Sequence, residues 1–217
     1  MPRKSAPQPE PRTNLPRFGT DGWRAVIAEQ FTFENVRLIA AAMSRYLAEK
    51  PGTTGRIVIG YDTRFMSREF ARAFADTAAA CGLKVELSNA FCPTPALSWA
   101  VKKRKLDMGV MVTASHNPYT YNGIKFKSSF GGPALVEETR AIEACMHALR
   151  SPEMARAAGG GVVEKDLLPD YYRQISKFVN VDAIASFKGT YVFNPMHGAG
   201  IGSVDEFLAE CGVPGAT

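Results

Sequence analysis

Two short apolar runs, Arg56 to Tyr61 (RIVIGY) and Met108 to Thr113 (MGVMVT), constrain this chain more than any other feature. Each is too short for a buried helix, has no polar face and is rich in β-branched residues. Such a run reads as a strand covered on both sides. The stretches between the runs supply the cover. Thr32 can cap a helix whose apolar face is Val36, Ala40, Met43 and Leu47, ended by Pro51-Gly52. Ser67 can cap another, with Phe70, Phe74, Ala78 and Cys81 along one face before Gly82 stops it. Lys84 to Ser88 reads as a strand and Thr94 to Lys105 as a helix. Asn122 to Lys127 is a strand returning from a loop, and a helix from Val136 to Arg150 follows. Strands alternating with helices predict an α/β fold, a mixed, mostly parallel sheet sandwiched by helices.

Three divisions are expected along the chain. Residues 1–14 (MPRKSAPQPEPRTN) hold prolines and little apolar bulk, so they read as a flexible Pro-rich tail. Residues 15–160 form the α/β unit, which opens with two short extended stretches around Gly19-Thr20-Asp21-Gly22. Gly159-Gly160-Gly161 marks the boundary. Residues 161–217 are expected to be a linker and the incomplete start of a second, similar α/β domain. They offer a helix from Leu167 to Val179, a strand over Tyr191 to Asn194, and a helix from Gly202 burying Val204, Phe207, Leu208 and Cys211. One strand and one helix cannot bury a core alone, so the chain reads as the front of a longer protein.

Composition excludes several functions. With 217 residues, 46% hydrophobic and 22% charged, the chain is globular and not disordered. Of its net charge of +5, the tail region 1–17 carries most, through Arg3, Lys4, Arg12 and Arg17 against Glu10. The internal run Lys102 to Lys105 suits a solvated helix end. No nucleic acid is therefore expected as partner. No apolar run approaches the ~20 residues that cross a bilayer, and no leader opens the chain, so no membrane is expected and the cytoplasm is the default. Cys81, Cys92, Cys145 and Cys211 lack Cys-x-x-Cys spacing and read as reduced, mostly buried thiols.

The chemistry gathers at Val112-Thr113-Ala114-Ser115-His116-Asn117-Pro118, directly after a buried strand, where ligands collect in open α/β sheets. Acyl transfer from Ser115 would need a base and a Gly-x-Ser-x-Gly elbow, which is absent. His116 is badly placed to serve its own neighbour as base. Phosphoryl transfer needs cations and hydrogen-bond donors around the serine. Arg24, Arg64, His116, Asn117 and Lys125 are such groups, each in a loop or at a strand end. His197 reads as a turn residue, His147 as a bystander, and Trp23 and Trp99 as packing residues.

The segments Phe18-Gly19-Thr20-Asp21-Gly22-Trp23-Arg24, Gly60 to Arg64, Thr113 to Pro118 and Tyr121 to Phe126 stand in the order and spacing of one family. The chain resembles the amino-terminal part of an α-D-phosphohexomutase, the phosphoglucomutase/phosphomannomutase family. Asn194 to Gly200 is similar to the opening of that family's second domain. The resemblance covers about residues 17–217 and implies that residues 15–160 are the phosphohexomutase domain I.

It also implies roles. Ser115 is the serine that carries phosphate, and His116 donates to the reacting oxygens. Lys125 and Arg24 serve proton transfer at the sugar hydroxyl or hold the charge that develops there. Arg64 and Asn117 are candidates for holding substrate or phosphate, and Arg64 reads equally as bracing a loop together with Asp62. The implied activity interconverts hexose 1-phosphate and hexose 6-phosphate, with glucose or mannose favoured, through a hexose 1,6-bisphosphate that is both intermediate and activator. The implied metal is Mg²⁺, held by the Ser115 phosphate and by three aspartates of an Asp-Gly-Asp-x-Asp-Arg loop. No two of this chain's eight aspartates are two apart, so that loop is not in this sequence and its ligands are expected beyond Thr217. The expected partners are the hexose phosphate and the C-terminal domains of the same chain, without which little activity is expected. A non-catalytic phosphosugar-binding module is the alternative. A serine hydrolase would require Ser115 to label with a fluorophosphonate, which is not expected.

Overall fold

A computed structural model describes residues 15–19, 22–149 and 161–213. The Pro-rich tail, Thr20-Asp21 of the first turn, Gly159-Gly160 of the expected boundary, and the last residues up to Thr217 lie outside the described residues. The elements run β1 (Trp23–Val26), α1 (Phe33–Glu49), β2 (Arg56–Tyr61), α2 (Ser67–Ala80), β3 (Lys84–Ser88), α3 (Thr94–Arg104), β4 (Met108–Val112) and β5 (Tyr121–Ser128). Then come α4 (Val136–Ala148), β6 (Gly161–Lys165), α5 (Leu168–Ile175), α6 (Val181–Ala185) and α7 (Ser203–Glu210). The six strands form one sheet in the order β1-β5-β4-β2-β3-β6. Neighbours from β4 to β6 are parallel, while β5 runs antiparallel to both β4 and β1. The sheet is mixed and mostly parallel, as the strand–helix alternation predicts.

Alternation along the strands divides the core. Ile57 and Ile59 of β2, with Val110 and Val112 of β4, pack toward α1, α2 and α4. Val58 and Met111 point the other way, against Leu97 and Val101 of α3. Because β2 and β4 are buried on both faces, their apolar residues are consecutive. Thr32 caps α1, its hydroxyl accepting from the Asn35 N–H at 3.3 Å. All four cysteines are free, and burial pushes the Cys92 thiol up to about 11. Among the described residues no helix is long and apolar enough to cross a membrane.

The structure differs from the expectations in several places. Ser67 does not cap α2: Met66 holds the cap position in a left-handed conformation, and the Ser67 hydroxyl donates to Asp62 Oδ1 at 2.7 Å. Gly161–Lys165, expected in a linker, pairs in parallel with β3 as the edge strand of the same sheet. Its mostly exposed GVVEK pattern gives no sign of a strand; the open edge of β3 supplies the reason for one. Tyr191 to Asn194 forms no strand, since no described strand lies beside it to complete a ladder. The helix expected over Leu167 to Val179 ends at Ile175, and none of the residues of α7 is buried. The basic run closing α3 is not uniformly solvated. Arg104 bonds Glu86 at 2.5 Å and Asp170 at 3.1 Å, fastening α3 to β3 and α5.

One buried carboxylate carries a testable pH dependence. Burial alone would raise the carboxyl of Glu138, but Lys50, the Ser128 hydroxyl and the Leu135 amide all donate to it and hold it below its ordinary value. A lowered folded-state value means the stabilisation is present above the usual carboxylate range and is lost as pH falls through the folded value. Urea midpoints are expected to fall on acidification below about pH 4.5, and Glu138→Gln is expected to flatten that fall.

Candidate active site

The site forms where β2 and β4 end side by side. Tyr61 pairs with Val112, and the Asp62 N–H donates to the Val112 carbonyl at 3.1 Å. The loops after both strands therefore lie together at the carboxyl edge of the sheet. Beyond β4 the chain passes buried Thr113 and Ala114 and emerges at Ser115, which is exposed and left-handed at φ 58°. A non-glycine residue there costs on the order of 1 kcal/mol. The Thr113 hydroxyl accepts from the Ser115 N–H at 3.0 Å. Two further bonds close the loop, Asn117 N–H to the Ala114 carbonyl at 3.1 Å and Tyr121 N–H to the Pro118 carbonyl at 3.0 Å. Among the described residues nothing bonds the Ser115 hydroxyl, which stands open to an incoming group.

Arg24 and Lys125 come from the two antiparallel strands beside this loop. Trp23 and Ala25 of β1, and Ile124 and Phe126 of β5, face the α1 side of the core. Alternation then puts Arg24 and Lys125 on the opposite face, where both are half-buried. Arg24 stands opposite Gly123, so Lys125 is its diagonal neighbour across the pair. The Arg24 guanidinium donates to Asn117 Oδ1 at 2.7 Å, reaching the serine loop from below. Two glycines make this close approach possible. A Cβ on Gly123 would lie 2.6 Å from the carbonyls of both Thr113 and Trp23, and 3.1 Å from Arg24 Cγ. One on Gly22, whose φ is +96°, would lie 2.4 Å from the Ile124 carbonyl. Gly123→Ala is expected to cost about 2 kcal/mol, because backbone on both sides blocks the added methyl. A denaturant midpoint equal to that of the unaltered chain would contradict this.

Arg64 is turned toward the serine loop. Its two terminal nitrogens donate to four backbone carbonyls of the serine loop, Ser115 at 2.8 Å, Asn117 at 2.7 Å, Pro118 at 2.9 Å and Tyr121 at 3.0 Å. Its Nε faces Asp62 Oδ2 at 3.4 Å. All five N–H groups are thus directed inward. Arg64 holds the loop that holds Ser115. Asn117, the other expected phosphate ligand, spends its side-chain oxygen on Arg24. His116 is exposed beside Ser115.

The remaining histidines contribute no side-chain contact to this cluster among those the structure records. His147 is exposed in the last turn of α4. His197 sits in a turn, its carbonyl accepting from the Thr63 hydroxyl at 2.7 Å. Trp99 donates to the Asp170 carbonyl at 3.1 Å and Trp23 stacks on Phe31 at 4.9 Å, both packing roles. Among the described residues no group of three His, Cys, Asp or Glu could hold a metal ion. The sequence does not single out Thr113, Gly123, Asn122 or the buried role of Ser67. Asn122 and Ser67 are polar and deeply buried, a pattern that no local spacing announces.

An exposed, left-handed serine thus stands at the carboxyl edge of an α/β sheet, with Arg24 and Lys125 on the antiparallel strands beside its loop. The family described as phosphoglucomutase/phosphomannomutase, alpha/beta/alpha domain I, matches residues 16–153. The chain belongs to the phosphoglucomutase/phosphomannomutase family. It is similar to a phosphoglucomutase of Staphylococcus saprophyticus, 27% identical over 205 residues, covering 89% of this chain and 37% of the relative. A protein of Methanothermobacter thermautotrophicus named as a phosphoglucosamine mutase is 33% identical over 164 residues, covering 76% and 35%. A solved Thermus thermophilus structure, assigned as a phosphomannomutase, is 42% identical with a TM-score of 0.83, covering 93% of this chain and 44% of that one. The chain spans little over a third of the length of the two curated relatives.

Proposed function

We propose that the polypeptide containing these residues interconverts hexose 1-phosphate and hexose 6-phosphate by carrying phosphate on Ser115. The observation behind this reading is the placement of Ser115, its hydroxyl open while its backbone is held by Thr113 and Arg64. In the first half-reaction a sugar hydroxyl oxygen attacks the phosphorus carried on Ser115. The bond from phosphorus to Ser115 Oγ breaks, and the proton lost by the sugar oxygen is taken up, net, by Ser115 Oγ. A hexose 1,6-bisphosphate results. In the second half-reaction Ser115 Oγ attacks the other phosphate, the bond from that phosphorus to the sugar oxygen breaks, and the proton returns from Ser115 to the sugar oxygen. Such transfer draws on positioning and charge stabilisation more than on a strong nucleophile. Arg24 and Lys125 supply positive charge at the reacting oxygens, and His116 supplies a donor.

Mg²⁺ would add charge stabilisation, but it prefers several hard oxygen ligands, and the described residues do not bring such a group together. We assign its carboxylates to residues beyond Thr217, outside this sequence. Glucose or mannose phosphate is the proposed substrate. The relatives above are named for glucose, mannose and glucosamine phosphates, so the test compares all three. We place the activity in the cytoplasm, where four free thiols stay reduced.

The test compares residues 1–217 with the polypeptide that includes the downstream coding sequence. Each receives glucose, mannose or glucosamine 1-phosphate with the matching 1,6-bisphosphate. The longer polypeptide is expected to form the 6-phosphate of glucose or mannose, and the 217 residues alone to form little. A longer polypeptide that binds hexose phosphates without converting any of them would overturn the proposal in favour of a binding module.

A further inference from the structure

We propose that Ser67 and Asn122 are positioning residues for Ser115, acting through Asp62 and Arg64. The inference rests on the phosphoserine reading above only for its kinetic consequence. The two residues come from different elements, Ser67 at the start of α2 and Asn122 in β5. They are among the few polar side chains buried in the core, at 1% and 0% exposure. Every polar atom so buried needs a partner, and here the partners form a directed chain. Asn122 Oδ1 accepts from the Gly123 N–H at 2.8 Å, which fixes the amide so that Nδ2 points at Ser67. Nδ2 donates to Ser67 Oγ at 2.9 Å. With its oxygen accepting there, the single hydroxyl proton of Ser67 goes to Asp62 Oδ1 at 2.7 Å. The same Oδ1 accepts from the Arg64 N–H at 3.0 Å.

Two donors on one carboxylate oxygen set the plane of the carboxylate and leave Oδ2 toward Arg64 Nε. The guanidinium fork is rigid, so fixing Nε fixes where its terminal nitrogens reach. Those nitrogens hold the carbonyls of Ser115, Asn117, Pro118 and Tyr121. The chain of bonds thus runs from the strand that carries Lys125, through the core, to the loop that carries Ser115. Apolar side chains of similar size would fill the same space at no greater cost in stability. What they could not do is orient Asp62. Without the Ser67 hydroxyl the carboxylate can turn, Arg64 loses its reference, and the Ser115 loop samples geometries in which phosphate is not in line.

The experiment compares Ser67→Ala, Ser67→Thr and a control, Ser44→Ala, which removes another buried hydroxyl whose partners are the Ala40 carbonyl and the Cys81 thiol and not the serine loop. In the 217-residue chain, amide hydrogen exchange is read at Ser115, Asn117 and Tyr121 and at core strands β2 and β4. Ser67→Ala is expected to speed exchange at the three loop amides about tenfold, with the β2 and β4 amides changed no more than in Ser44→Ala. Ser67→Thr keeps the hydroxyl and is expected to restore protection. In the catalytically competent polypeptide, Ser67→Ala is expected to lower kcat about tenfold with KM within about twofold.

Loop amides as protected in Ser67→Ala as in the unaltered chain would overturn the inference. So would an unchanged kcat. If Ser67→Ala does not fold, Asn122→Ser provides the second reading, with the same loop amides expected to lose protection. If the loop amides respond but the unaltered polypeptide converts no hexose phosphate, the positioning chain stands and the phosphotransfer reading fails.

Discussion

Ser115→Ala is expected to lower hexose phosphate interconversion by at least about a thousand-fold, some 4 kcal/mol in the barrier, while leaving the fold intact. The activity is proposed to pass every phosphate through one oxygen, so removing it leaves no route and not merely a poorer one. The fold is expected to survive because Ser115 is exposed and its hydroxyl holds nothing among the described residues. Its N–H, which bonds Thr113, remains in alanine. Both residues carry a Cβ, so the left-handed backbone costs each about the same. The unfolding midpoint is expected to stay within about 0.5 kcal/mol of the unaltered protein. Residual turnover within tenfold of the original would place the phosphate carrier elsewhere.

Arg64→Ala is expected to lower stability by about 3 kcal/mol and to lower turnover by about a hundredfold, because Arg64 fastens the loop that carries Ser115. Four loop carbonyls lose charge-assisted donors and Asp62 loses its counter-charge. Each such bond contributes roughly 1.5–3 kcal/mol, but several of these groups lie at the surface, where water replaces part of the loss. The full sum is therefore not expected. Arg64→Lys separates charge from geometry. A lysine can approach one or two of the carbonyls as a point charge but cannot span all four, so it should recover part of the stability and little of the turnover. A lysine variant with full turnover would show that charge alone suffices and that the fork is incidental.

Strands β2 and β4 are legible in the sequence because burial on both faces writes itself as consecutive apolar residues. The edge strand β6 is not, since its side chains are mostly exposed and its pairing depends on the free edge of β3. Tyr191 to Asn194 shows the converse: a β-forming run without a neighbour stays irregular. The site is legible in its parts. Ser115, His116 and Asn117 are contiguous, and the match of Arg24 and Lys125 to a family pattern points to them without the register of β1 on β5. The function of Arg64 is only half legible: its spacing to Asp62 suggests a loop brace as readily as a phosphate ligand. Its four bonds reach residues 51 to 57 positions away, and an arginine that binds carbonyls has the same sequence as one that binds phosphate. Ser67 misleads for a related reason. A serine before a helix suggests a cap, while the nearby Asp62 carboxylate is a stronger acceptor for its proton than the helix is a donor to its oxygen.

The measurement that tests the central claim most directly is the location of covalent phosphate on the protein purified from its source cells. Peptide mass spectrometry is expected to find it on Ser115, and incubation with a hexose 6-phosphate is expected to discharge it as the 1,6-bisphosphate. A protein that converts hexose phosphates while Ser115 stays unmodified throughout turnover would contradict the account.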